Sequence, residues 1–154
     1  RASHDELARL ARAADELAAA IAGQPESVMV RRPDGKNWAP TEVVCHLRDT
    51  EEGFMGRFQL IALMDDIKLL GPDPDRWAEE RQYLRNDPAR AATAFQRRRE
   101  DSLKHLRGLE PAGWQRAGGH ATRGRLTVGD FVSLMAWHDL NHLDQLQRGL
   151  RGQP

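Results

Sequence analysis

The sequence predicts an all-α fold, a single bundle of four helices. Three observations carry that reading. Ala, Leu, Arg and Glu dominate, and alternation of Val, Ile or aromatic residues never runs beyond a few positions. Apolar residues recur at helical spacing in four long stretches. Each stretch is bounded by capping residues, Pro or Gly. A chain of 154 residues is expected to form one domain, 1–154, and to bury about two-thirds of its unfolded surface.

Ser3 followed by Glu6 is a capping-box pattern, after which Leu7, Leu10, Ala14, Leu17 and Ile21 keep helical spacing as far as Gly23. Residues 23–39 hold Pro25, Pro33, Asp34 and Gly35 and read as a connection without an element of its own. Pro40 suits the first position of the second helix, with Glu42 in its opening turn. Its stripe is Val43, Leu47, Phe54, Phe58 and Ile61, ending before Gly71 and Pro72. Gly53 lies inside this helix at a cost of about 1 kcal/mol against Ala, and leaves room for a ligand or a close neighbouring helix. The connection over 71–87 is long enough to cover a site, with a short extra helix expected at Trp77–Leu84. Asp87 and Pro88 form an N-cap and N1 pair for a third helix carrying Ala92, Phe95, Leu103 and Leu106 and stopping near Gly108. Arg99 and Ser102 interrupt its stripe and read as pocket-lining or half exposed. Residues 109–126 contain Pro111, Gly113, Gly118, Gly119 and Gly124, too many breakers for regular structure. Thr127 with Asp130 caps the fourth helix, and Gly149 is placed to stop it. Four amphipathic helices on long connections make an up-down bundle, or one with crossovers.

Lys+Arg and Asp+Glu balance at 23 each, which excludes the basic footprint of a nucleic-acid binder and argues against an anionic membrane surface. No stretch reads as a transmembrane span, and Asp15 and Glu16 break the Ala-rich start, so no signal-peptide core is expected. A single cysteine, Cys45, permits no internal disulfide and fits a cytoplasmic location.

The chemistry gathers on the last helix. His138 and His142 sit about 40° apart on the helical wheel and one turn apart along the axis. Phe131 and Met135 share their arc, so both rings point to the core. A buried ring nitrogen needs a partner, and two at this spacing can close on one metal ion. His46 borders the stripe of the second helix, on the side of Thr50, Gly53 and Arg57. With six histidines, such an i, i+4 pair arises by chance about one time in four. From the residues alone two readings stay open: one shared divalent cation, or separate core histidines satisfied by backbone or water.

Other residues are weaker candidates. Asp139 lies about 80° from the metal-facing direction and is expected to pair on the rim, with support of a ligand imidazole as the alternative. Asn141 points further out and reads as solvated. Gln145 shares the ligand arc, and Thr50, beside Asp49, could hydrogen-bond in the pocket, a backbone contact being the commoner outcome. Arg57, about 16 Å along the axis from His46, reads as a surface ion pair before an anion contact. His120 reads as a solvated loop residue, and His4 and His105 as surface residues. Cys45 is rotated about 100° from His46 and reads as a buried inert thiol. Trp38, Trp77 and Trp114 staple connections to the core. Trp137, off the inward arc, marks a candidate dimer face.

NWAPTEVVCHL at 37–47 resembles the W-s-x-x-E-x-x-x-H-L stretch of the DinB/YfiT-like superfamily. GRLTVGDFVSLMAWHDLNHLDQLQ at 124–147 resembles that family's closing G-x-x-T-l…H-D-x-x-H-x-x-Q. Order, separation and placing on the second and last helices also match. The resemblance implies a four-helix bundle whose His triad, His46, His138 and His142, holds one divalent ion, with Zn, Ni, Fe or Mn all suitable, and frequently a homodimer. Ala39 departs from the family's capping Ser or Thr, weakening that cap by about 1 kcal/mol.

Three neutral imidazoles leave positions on an ion for water or substrate, and the ion can lower the pKa of water or thiol towards neutrality. A thiolate is the soft nucleophile that zinc holds well. Similar proteins include thiol S-transferases and isomerases using bacillithiol or mycothiol, and some assigned as hydrolases. The resemblance thus implies a small-molecule thiol S-transferase, with a low-molecular-weight thiol as cosubstrate. Metal-dependent hydrolysis, a non-catalytic metal- or ligand-binding bundle, and a metal-free dimeric scaffold follow as alternatives. Thr50, Gly53, Asp139 and Gln145 are the expected pocket or supporting residues.

Overall fold

The structure, a computed structural model, describes residues 4–154, so the expected cap at Ser3 and the side chain of His4 lie outside the described part. In chain order the elements are α1 (His4–Ile21), the single turn α2 (Glu26–Met29), α3 (Pro40–Leu63), α4 (Pro74–Glu80), a 3₁₀ turn at Tyr83–Arg85 and α5 (Pro88–Arg107). There follow α6 (Pro111–Gln115), strands β1 (Ala117–His120) and β2 (Gly124–Thr127), and α7 (Val128–Leu150). No helix among the described residues is long and apolar enough to cross a membrane.

Side-chain pairs set the direction of each long helix. Gln96 reaches Asp15 at 3.5 Å and Arg99 reaches the Leu10 carbonyl at 2.8 Å, so α1 and α5 run antiparallel. Arg98 donates to the Arg48 carbonyl at 3.0 Å and His105 stacks on Phe58 with centroids 6.2 Å apart, so α3 and α5 run parallel. Gly149 abuts Pro40, and His46 meets His138 and His142, so α3 and α7 are antiparallel. Around the bundle the order is α1, α5, α3, α7, and the directions read up, down, down, up along the chain. This is the crossover variant of the expected bundle. Because α5 starts at the end where α3 started, residues 64–87 must travel back along a 24-residue helix of about 36 Å.

That return segment is ordered by capping and pairing. Asp73 caps α4, accepting from the Arg76 amide at 3.2 Å, so the helix starts at Pro74 rather than at the expected Trp77. Gln82, at φ +51°, breaks it before the 3₁₀ turn. The expected irregularity of 109–126 is overturned by α6 and the β1–β2 hairpin, in which Gly118 pairs with Leu126 and Gly119 with Arg125. The glycines read as breakers serve close approach instead. A β-carbon at Gly118 would lie 3.0 Å from Leu69 Cδ1 and 3.1 Å from the Ile67 carbonyl. Gly119 and the 67–69 strip exchange two backbone bonds of 2.8 Å. At the other end α7 continues through Gly149, which seats against Pro40. The turn that follows uses Gly152 at φ +74°.

The core forms two apolar layers. One gathers Leu10, Phe54, Phe58, Leu106, Phe131 and Met135, the other Leu17, Val43, Val44, Phe95 and Leu146. Between them lies Arg99, 2% exposed, which corrects its reading as half exposed, while as a pocket-lining residue it borders an opening of about 450 Å³ between α1 and α5. Its guanidinium grips Glu51 through Nε and Nη2 (2.9 and 2.8 Å) and Asp139 through Nη1 and Nη2 (2.7 and 2.9 Å). Nη1 also reaches the Leu10 carbonyl, so all five N–H donors are used and four helices are tied at one level. Ser102 is also buried, its hydroxyl donating to the Arg98 carbonyl at 3.1 Å.

Candidate metal centre

His46 stands in the second turn of α3, whose start is fixed without a capping hydroxyl. The Glu42 carboxylate turns back to accept the Ala39 amide at 3.0 Å and two Arg32 bonds of 2.8 Å. Part of the capping deficit expected from Ala39 is thereby offset. On α7, Thr127 and Asp130 close a reciprocal cap, the Asp130 amide donating to Thr127 Oγ1 at 3.1 Å and the Thr127 amide to Asp130 at 2.9 Å.

Helices α3 and α7 bring His46, His138 and His142 together. His46 Nε2 lies 3.0 Å from His138 Nε2 and 3.1 Å from His142 Nε2, and the three ligand atoms lie within 4.8 Å of one another. Two of the opposite ring nitrogens have partners of their own: Gln145 Oε1 lies 2.8 Å from His142 Nδ1, and Thr50 Oγ1 3.4 Å from His46 Nδ1. An amide oxygen can only accept, so the His142 proton sits on Nδ1 and its Nε2 lone pair faces the cluster. Burial pushes the His46 imidazole down to about 3, with His142 adding to the effect. Burial also lowers His138, helped by its two histidine neighbours, and lowers His142 against the opposing Gln145 bond. All three rings are therefore neutral near pH 7, the form that ligates metal.

The donor set fits a divalent ion. Bonds of about 2.0–2.1 Å opening at 90–110° put neighbouring nitrogens roughly 2.9–3.4 Å apart, the spacing of the His46 contacts. The His142 lone pair points into a space shared with the Nε2 atoms of His46 and His138, where one cation could be held by all three. Trp38 packs over His46 and His142 with centroids 4.9 and 6.4 Å away, and Phe54 sits 6.2 Å from His138.

An opening of about 430 Å³ faces the three rings between Asn37, Trp38, Pro74 and Gln145. Beyond Thr50 lies a larger groove of about 790 Å³ between α3 and the return segment, floored by Gly53 and Gly56. Thr50 and Gln145 thus lie against the ligand rings, and Gly53 opens onto the groove with no helix packed on it.

The remaining candidates separate. Asp139 is 2% exposed and bound to Arg99, so the rim placement was wrong and the carboxylate touches no imidazole. Its place on the helical wheel was right, but the missing signal was a cation from α5 at the same level. Asp49 is buried and turned away, accepting from Tyr83 Oη at 2.6 Å and from Arg81 and Arg48 at 2.9 Å, which pins the return segment. Arg57 makes no surface ion pair among the described residues. Its Cζ lies 5.3 Å from the Phe54 centroid, and burial lowers its pKa. His120 accepts the Thr122 amide at 3.1 Å in the hairpin turn, away from the cluster. Asn141 is exposed and donates to the Trp137 carbonyl, and His105 stacks on Phe58. Cys45 is fully buried against the Tyr83 carbonyl, its thiol pushed up to about 12 by burial. Trp137 is 58% exposed, with Arg123 over its ring. Trp38, read as a staple, is a wall of the site. Its position two residues before Pro40 in the motif was the available signal.

Fold and cluster together define a four-helix bundle with a candidate three-histidine metal centre. A model of the DinB superfamily matches residues 9–146, and the chain belongs to that family. The structure is similar to that of YfiT from Bacillus subtilis, with a TM-score of 0.90 and 20% identity, covering 98% of this chain and 89% of that one. YfiT is described as a probable metal-dependent hydrolase with an unusual four-helix bundle topology. No curated protein matches the chain.

Proposed function

We propose that the protein is a divalent-metal-dependent enzyme that activates a small nucleophile at His46, His138 and His142. The observation that carries this reading is the convergence of three neutral Nε2 atoms at one point. The cluster contains three ligand residues and no fourth among the described residues, which favours an open, reactive site over a closed binding one. A divalent ion supplies Lewis acidity there, bringing the pKa of water or a thiol towards neutrality. The chain's own residues do the rest. Gln145 and Thr50 hold the His142 and His46 rings in orientation. Trp38 and Phe54 exclude water from two sides, and the groove beyond Thr50 receives the electrophile.

Hydrolysis, with water as nucleophile, is the first reading, and the description of YfiT supports it. Thiol transfer to a small electrophile is the second, because a groove of about 790 Å³ beside the cluster has room for a cosubstrate as well as a substrate. Elemental analysis of protein prepared without chelator tests the shared premise. Wild type is expected to carry about one divalent ion per chain, and His142→Ala to lose it by at least about tenfold. Equal metal content in the two would refute the reading. Ester and amide hydrolysis, measured beside consumption of added thiols, then decides between the nucleophiles.

A further inference from the structure

Among the described residues, every other partly or fully buried arginine has a carboxylate within ion-pair reach: Arg48, Arg98, Arg99, Arg116 and Arg148. Arg57 has none. It is half-buried along the groove, its guanidinium beside Phe54, the ring that also touches His138. A cation stripped of part of its water and left without a counter-ion is costly, and the cost is recovered when an anion arrives.

The groove supplies no such anion of its own. Asp49 is taken up by Arg48, Arg81 and Tyr83, Glu80 by Arg76, and Asp73 by the start of α4. Its floor is bare. Gly53 and Gly56 lie three residues apart on α3, and a β-carbon at either would meet nothing within 4 Å. The helix gives up about 1 kcal/mol at each without any packing demand, and a channel runs from Thr50 to Arg57.

We propose that this groove binds substrates bearing a carboxylate at one end, held by Arg57, with the reacting end at the three-histidine cluster. The guanidinium suits a planar carboxylate through paired N–H bonds, and Lys68 on the rim adds positive charge. The assignment of the reacting end rests on the metal-enzyme reading above. The anion contact itself does not.

Two measurements keep the two apart. In cobalt-loaded protein, the visible absorption of the ion reports binding of 6-mercaptohexanoate and of its neutral counterpart 6-mercaptohexanol. The acid is expected to bind at least about tenfold tighter. Arg57→Leu should bring the ratio within about twofold while leaving the alcohol's affinity unchanged, and Arg57→Lys should keep part of the preference. In metal-free protein, hexanoate should shift the Arg57 Nε–H resonance and hexanol should not. Equal binding of acid and alcohol in wild type, a preference that survives Arg57→Leu, or a resonance unmoved by hexanoate would overturn the anion site. Failure of cobalt to bind while hexanoate still moves Arg57 would overturn the three-histidine reading and leave the anion site standing.

Discussion

Replacing Arg99 by Met removes a guanidinium that is 2% exposed and keeps a side chain of similar reach. Glu51 and Asp139, 1% and 2% exposed, then lose their shared cation, and the Leu10 carbonyl loses a donor. Breaking a buried pair in this way costs about 3–5 kcal/mol, a large part of the 5–15 kcal/mol that holds a typical domain together. The loss should hardly change with salt, since the charges lie out of reach of mobile ions. It should change with pH. Burial raises the Asp139 carboxyl above the usual value of about 4, and without Arg99 the opposing influence is gone, so the folded variant binds a proton more readily than its unfolded chain. Stability of Arg99→Met is therefore expected to rise as pH falls from 7 towards 5. The triple change Glu51→Leu, Arg99→Met, Asp139→Leu should recover most of the loss. Urea unfolding followed by circular dichroism at both pH values measures all three quantities. A loss below about 1 kcal/mol, or identical curves for the variant at the two pH values, would refute the description of this layer.

Gly53→Ala and Gly56→Ala should each raise stability by about 1 kcal/mol in the same assay, because their β-carbons enter open space. Destabilisation would mean the groove floor is not bare. Cys45, fully buried with its thiol pushed up to about 12, should react with iodoacetamide near pH 8 only at the rate at which the protein unfolds. Rapid labelling of the folded protein would contradict its burial.

Much of the bundle was legible because its signals are local. Asp87 and Pro88 start α5, Thr127 and Asp130 start α7, and apolar spacing located all four long helices. The pair His138 and His142 was visible from one turn of helix. Adding His46 required the family resemblance, because no periodicity links positions 46 and 138. What escaped is what depends on partners distant in sequence. Arg99 interrupts a stripe and reads as pocket-lining or half exposed until Glu51 and Asp139 arrive from two other helices. The hairpin escaped because Gly118 and Gly119 look like breakers until the 67–69 strip packs against them. Arg57 was seen, but its lack of a counter-ion is a property of the assembled groove.

The order of helices around the bundle also constrains how the chain reaches its native state. Of the three pairs of successive long helices, α3 and α5 alone lie side by side, so little of the core can form by local hairpin closure. The apolar face of α1 waits for α5 and α7, the latter beginning at Val128. On the ribosome, α1 thus stays only partly covered until α7 has been made, and the emerging chain carries an unsheltered greasy surface over that interval.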